Sequence, residues 1–183
     1  MTDHGAQCYR RFLQGDDSGF EEIVRTYSDG MILFLAGMVS DFHTAQDLCE
    51  DTFFKLLTKK PRFDGRSTFK SWLYAIAKNM ATDYLRRAKT HPVVQYEGEY
   101  ADAETPEQRY LQQEQYVTLY RAMQGLKAEY RTALYLVYFE NFDTAQTAMA
   151  LGKTKHQTET LVWRAKNALK TQLQKEGFEY ENT

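Results

Sequence analysis

Apolar residues recur at spacings of three and four through most of this chain, the period of a buried helix face. Phe20, Ile23, Val24, Tyr27, Met31, Phe34, Leu35 and Met38 predict a helix that opens at Ser18, with Ser18 as N-cap and Glu21 and Glu22 in its first turn. Gly30 inside that pattern weakens the case for an unbroken helix. After Ser40 and Asp41 a second helix is expected to run to about Lys59. Its stripe is Ala45, Leu48, Cys49, Phe53, Leu56 and Leu57, with Asp47, Glu50, Asp51 and Phe54 to the side or opposite. Residues 61–66 form a break, and Ser67 or Thr68 caps a third helix whose core face is Phe69, Trp72, Leu73, Ile76, Ala77, Met80 and Leu85. Lys70, Ser71, Lys78, Asn79, Asp83, Arg86 and Arg87 are left for its outer surface.

Helical period is lost over 90–106, THPVVQYEGEYADAETP, which carries two of the three prolines and predicts an extended linker ending in the helix-start signal Thr105–Pro106. The period then returns. Leu111, Tyr116, Leu119, Tyr120, Met123 and Leu126 line one helix, and Tyr130, Ala133, Leu134, Leu136, Val137 and Tyr138 line the next. Asp143 is expected to cap a short helix closed by Gly152, and Thr154 to cap a long last helix. A short helix, a turn and a basic second helix predict a helix-turn-helix. The expected fold is all-α: two small helical domains over 1–89 and 107–183, joined by the 90–106 linker.

Composition adds few constraints. At 183 residues there is room for one domain or two small ones. Cys8 and Cys49 are too few and too far apart to imply a disulfide framework or a zinc site, which fits a reducing cytosol. The N-terminal stretch lacks the apolar core of a signal peptide, and the longest apolar run, Met31–Val39, is too short to span a bilayer. A cytoplasmic protein without membrane insertion is expected.

Charge changes the picture more. The net charge of −2 conceals segregated blocks. Residues 16–51 carry nine carboxylates against Arg25, about −8, whereas 55–89 carry ten cations against Asp64 and Asp83, about +8. Residues 92–107 hold five carboxylates and no cation, and 153–175 return to about +5. Two basic blocks separated by acidic ones point to two places where a polyanion is held. In the first of them, basic residues interleave with Phe63, Phe69, Trp72, Tyr74 and Tyr84. That pattern suits a nucleic-acid strand, since cations meet phosphates and rings stack on unpaired bases, although Trp72 at this spacing is more often core. Asn79 and Asp83 form an i, i+4 pair able to bond base edges, while Arg86 and Arg87 suit phosphate. His43 with Asp47, or the carboxylates Asp47, Glu50 and Asp51, offer weak metal-ligand spacing without the second Glu-x-x-His that completes a bundle site. A solvated or protein-docking face is the stronger expectation. Nothing resembles a Gly-rich phosphate loop or a Cys/His nucleophile pair, so neither catalysis nor a cofactor is expected.

Three strings, AQDLCEDTFFKLL, FKSWLYAIAKNMATDYLRR and TLVWRAKNAL, together with the linker and the terminal helix pair, resemble bacterial sigma factors of the extracytoplasmic-function group. This is the two-domain minimal form of the sigma-70 family. The resemblance spans about 16–89 and 107–173. It implies a promoter-specificity subunit that binds core RNA polymerase and has no catalytic chemistry of its own. Asp47, Glu50, Asp51, Phe53 and Leu57 would dock on the clamp helices of the polymerase largest subunit. Phe63, Asp64, Arg66, Ser67, Lys70, Asn79, Asp83, Arg86 and Arg87 would read the minus-ten promoter element as melted non-template strand. Lys155, His156, Gln157, Thr160, Arg164 and Lys166 would read the minus-thirty-five element as duplex. Glu159, Leu161, Trp163 and Gln46 depart from the commoner family pattern. An anti-sigma protein is an implied partner. The rival readings are a free-standing helix-turn-helix regulator of duplex operators and a helical metal-binding or interaction protein.

Overall fold

The computed structural model describes residues 3–90 and 114–175, and every regular element among them is helical. In chain order these are α1 (His4–Leu13), α2 (Ser18–Val39), α3 (Phe42–Lys59), α4 (Phe69–Thr90), α5 (Glu114–Gln124), α6 (Ala128–Tyr138), α7 (Thr144–Leu151) and α8 (Lys155–Lys175). The expected linker from residue 91 onward, Leu111 and the side chain of Tyr116 lie outside the described residues.

Helix α1 is absent from the sequence-based expectation. It starts because the Asp3 carboxylate accepts the Ala6 N–H at 3.1 Å, and it buries Cys8, Tyr9 and Phe12 against α2 and α4. The start of α2 also differs from expectation. Ser18 is its first helical residue, and Asp16 Oδ1 accepts the Ser18 N–H at 3.1 Å. Gly30 does not break α2: a Cβ there would stand 2.4 Å from Glu140 Oε1 and 2.8 Å from the Tyr74 hydroxyl, so the glycine is what lets those groups approach. Asp41 caps α3, accepting the Thr44 N–H at 2.7 Å, and its hydrogen bonding to Thr44 holds its carboxyl below the usual range.

Thr68 caps α4 by accepting the Ser71 N–H, and the second oxygen of Asp3 accepts the Phe69 N–H at 2.6 Å. One carboxylate thus serves the first turns of both α1 and α4. The Tyr9 hydroxyl donates to the Pro61 carbonyl at 2.7 Å, fixing the loop between α3 and α4 from the same side.

The end of the chain follows its caps closely. Asp143 and Gln146 form a reciprocal capping box at α7, and Gly152, at φ +64°, donates its N–H to the Ala148 and Met149 carbonyls. Thr154 and Gln157 make the same reciprocal pair at the start of α8.

Helices α6 and α7 pack onto α2 and α4, so one hydrophobic core runs through both halves of the described chain. Arg131 organises this contact. Its guanidinium donates to the Gln124 and Leu126 carbonyls at the end of α5, and to the Gly37 carbonyl and Ser40 hydroxyl at the end of α2. Two helix C-termini, each the negative end of a dipole, converge on one buried cation. Across the same interface Lys70 Nζ lies 2.6 Å from Glu140 Oε2, and the Tyr74 ring packs between Phe34 and Phe142. Tyr74 is fully buried, and burial, aided by the Glu140 charge, raises its hydroxyl pKa well above the ordinary phenol value.

Candidate functional site

Three exposed surfaces carry the predicted site residues. On α3, Asp47, Glu50, Asp51 and Leu57 are exposed; Glu50 and Asp51 follow Asp47 by three and four residues and Leu57 follows Glu50 by seven, which brings them to one side. Phe53 does not join them. It is 6% exposed and meets Phe20 edge-on at 6.5 Å, so its side chain belongs to the core rather than to a docking face. The neighbouring Phe54 stands 64% exposed between Asp51 and Leu57. An exposed phenylalanine rimmed by carboxylates has the make-up of a protein-docking patch. Asp47, Glu50, Asp51 and His43 bring no three donor atoms together, so the metal reading of this face has no geometric support among the described residues.

The second surface joins the loop at 61–68 to the outer side of α4. Asp64 Oδ1 accepts the Arg66 N–H at 3.0 Å, and Gly65 between them holds φ +75°. Asp64 and Arg66 are exposed, and Ser67 is half-buried. Along α4, Asn79, Asp83, Arg86 and Arg87 all point outward, and Asp83 accepts from Arg86 at 3.1 Å. Ser71, expected on this surface, is fully buried and shares a 2.6 Å hydrogen bond with the Thr68 hydroxyl. Lys70 is half-buried and tied to Glu140, with the Phe142 ring 5.3 Å from its Nζ.

The rings follow the core reading: Phe69 and Trp72 lie on the buried stripe expected for α4, not on an open platform for bases. Phe69 and Tyr74 are fully buried. Phe63 and Trp72 lie half-buried against each other at 5.2 Å and pack on Phe69, with Tyr9 of α1 also 5.5 Å from Trp72. These aromatics form a cluster that supports the loop, not an open platform for bases. What faces outward is amide, carboxylate and guanidinium.

The third surface is the outer side of α8. Lys155, His156, Arg164 and Lys166 are exposed, Thr160 is half-buried, and Gln157 is exposed but already bonds the Thr154 backbone. Glu159 and Trp163 share the exposed stripe, Trp163 at 67%. Leu161 is buried at 6%, so it acts in packing and not in contact with a ligand.

Residues 23–91 match sigma-70 region 2. RNA polymerase sigma-H factor of Pseudomonas aeruginosa is 30% identical over 179 residues, which cover 92% of this chain and 93% of the relative. This chain belongs to the sigma-70 family. Within that family it falls in the extracytoplasmic-function group, to which the similar SigW of Bacillus subtilis also belongs, at 26% identity over 90% of this chain and 94% of SigW. Among solved structures, the sigma factor RpoE from Bartonella quintana, determined with the anti-sigma factor NepR, superposes with a TM-score of 0.63 at 23% identity. That match covers 85% of this chain and 96% of RpoE. CnrH, determined with the cytosolic domain of CnrY, gives a TM-score of 0.62 at 17% identity, covering 95% and 97%. These two likenesses concern the fold.

For this sigma factor, sequence reasoning missed three structural contributors to the surfaces. Phe54 was assigned a side position on α3 without a role. Asp3, the cap of α1, and Tyr9 within it hold the loop before α4, and neither has a role in the sequence reading. The only available signal was that Cys8, Tyr9 and Phe12 repeat at spacings of one and three in a ten-residue stretch. No helix among the described residues is long and apolar enough to cross a membrane.

Proposed function

We propose that this sigma factor binds core RNA polymerase, recognises the minus-ten and minus-thirty-five promoter elements and promotes transcription initiation, without catalysis of its own. The observation that carries the proposal is the contrast between two neighbouring exposed faces. One is acidic with a protruding phenylalanine, and the other is basic and amide-bearing with its rings withdrawn.

In this reading residues 1–89 form a docking and melting domain, 90–106 an acidic connection and 107–183 an upstream-element domain. The α3 face, with Asp47, Glu50, Asp51, Leu57 and Phe54, meets the polymerase. The loop residues Asp64, Arg66 and Ser67, backed by Phe63, and Asn79, Asp83, Arg86 and Arg87 of α4 hold the opened non-template strand. Pulling a base from the stack costs a few kcal/mol, which contacts to amides and cations must offset. Lys70 contributes to that strand only after it leaves Glu140. Helices α7 and α8 act as a helix-turn-helix, with Lys155, His156, Thr160, Arg164 and Lys166 toward duplex DNA and Gln157 fixing the helix start. Glu159 opposes phosphate, and it accepts from cytosine N4 where a base lies within reach. A cytoplasmic setting follows from work on the chromosome, and an antagonist protein of the anti-sigma kind is a further partner.

Run-off transcription with purified core polymerase on genomic fragments tests the proposal. New start sites should appear only when the protein is added, and the protein should co-purify with core. A free-standing duplex regulator would instead shift operator DNA tightly without polymerase. The absence of new start sites together with that shift would overturn the sigma reading of these faces.

A further inference from the structure

Three donors of different chemistry converge between α1 and α2. His4 and Cys8 stand one turn apart on α1, and Glu22 reaches them from α2. His4 Nε2 lies 3.0 Å from Glu22 Oε1 and 3.6 Å from Cys8 Sγ, and the three donor atoms fall within 4.8 Å of one another. Tetrahedral zinc with nitrogen and oxygen ligands at about 2.05 Å and sulfur at about 2.3 Å sets ligand edges of about 3.3–3.6 Å. The two separations from His4, 3.0 and 3.6 Å, fall close to those edges, and the third is no longer than 4.8 Å. His4 is 61% exposed and the Glu22 side chain 27%, so an ion arriving from solvent meets the imidazole and carboxylate first, with the buried thiol beneath.

Glu22 is also held from its other side. Arg11 donates to Glu22 Oε2 at 3.1 Å, and it is itself held by Asp16 and Ser18. One carboxylate oxygen is thereby fixed and the other is directed at His4, the arrangement by which an outer partner orients a metal ligand. We propose that His4 Nε2, Cys8 Sγ and Glu22 Oε1 form a binding site for one borderline-soft divalent ion of the zinc class, with a fourth position open to water. Binding forms a metal–sulfur bond and releases the thiol proton to solvent. The thiolate and the carboxylate then balance the two charges of the ion. Magnesium and calcium, which prefer all-oxygen sites, are poorly matched.

The site has a structural consequence. His4 follows Asp3, whose carboxylate accepts from Phe69 at the start of α4, and Cys8 precedes Tyr9, which holds the Pro61 carbonyl. An ion that pins α1 to α2 therefore pins the loop at 61–68 through both of these bonds. Should that loop read promoter DNA, as proposed above, metal supply would tune opening; the metal site itself stands independently of that role.

The test uses the chelator-stripped, reduced full-length protein and cobalt(II) alone as probe. A thiolate-to-cobalt charge-transfer band should saturate at one ion per chain and vanish when zinc is added. Cys8→Ser should abolish the band and Cys49→Ser should leave it. Cys49 is 3% exposed, donates to the Ser28 carbonyl, and has its thiol pKa pushed up to about 12. His4→Ala, at an exposed position that should not disturb folding, should weaken cobalt binding by more than the about tenfold expected for the positioning variant Arg11→Gln. Zinc should also slow hydrogen exchange at the Phe69 amide. No band in the folded wild type, a band lost in Cys49→Ser, or undiminished affinity in His4→Ala would each overturn the site. Unchanged Phe69 exchange with metal bound would overturn its link to the loop.

Discussion

The outward faces of α3 and α4 make opposite uses of the same residue types. On α3 the carboxylates are exposed and an aromatic ring, Phe54, protrudes among them. On α4 and its preceding loop the rings of Phe63, Phe69, Trp72 and Tyr74 turn inward, leaving Asn79, Asp83, Arg86 and Arg87 outside. A protein partner rewards exposed apolar surface, because burying it releases water at about 25 cal/mol per Å². A phosphate backbone rewards cations and gains little from a ring it cannot stack on. The difference teaches that charge alone does not separate these faces; in the proposed reading the direction of the aromatic side chains distinguishes a protein-docking face from a strand-holding one.

The largest effect that would sharpen this comparison comes from the adjacent phenylalanines. Phe53→Ala should lower unfolding stability by about 3–5 kcal/mol, read by denaturant titration, since it empties a core position. Phe54→Ala with Leu57→Ala should leave that stability nearly unchanged and weaken core-polymerase binding by about 2 kcal/mol, read by fluorescence titration. Equal stability losses from the two changes would erase the distinction between buried and docking rings.

A smaller effect is expected on the basic face. Arg86→Ala with Arg87→Ala should reduce the magnitude of the salt slope of promoter binding by holoenzyme by about two, with core affinity unaltered. The smallest effect lies at the helix cap that precedes the acidic face. Asp41 has a depressed folded-state pKa, caused first by its hydrogen bonding to Thr44. Its contribution is therefore complete above the unfolded carboxylate pKa, about 3.9, and is lost as pH falls through the lower folded value. Asp41→Ala should cost about 1 kcal/mol at neutral pH, and the gap to wild type should close in acid.

Much of the fold was legible because caps are local chemistry. Asp41, Thr68, Asp143, Gly152 and Thr154 each act within a few residues of their own position, and each sits where its residue type predicts. Ser18 does not cap α2 because Asp16, two residues earlier, accepts both its N–H and its hydroxyl, and the helix begins at Ser18 itself. Long-range features were not legible. Arg131 has the spacing of an ordinary surface arginine, and only the meeting of two helix ends makes it a buried bridge. Likewise Lys70 looks like one more outward cation until Glu140, seventy residues later, folds back upon it. Among the site residues, the charged ones other than Lys70 lie on the surface, because charge demands water or a partner. The aromatic ones were ambiguous, because Phe53 and Trp72 have core spacing while their residue type also suits an interface, and Phe63 lies in a loop without helical spacing.

Separating the two faces in a single pair of assays is the most direct test. Asn79→Ala with Asp83→Ala changes only exposed side chains of α4. Core-polymerase affinity and promoter opening should be measured on the same preparation, the first by titration and the second by reactivity of unpaired thymines. Wild-type affinity with opening strongly reduced is the predicted result. Parallel loss of both, or full opening, would contradict the division between a protein-facing α3 and a strand-facing α4.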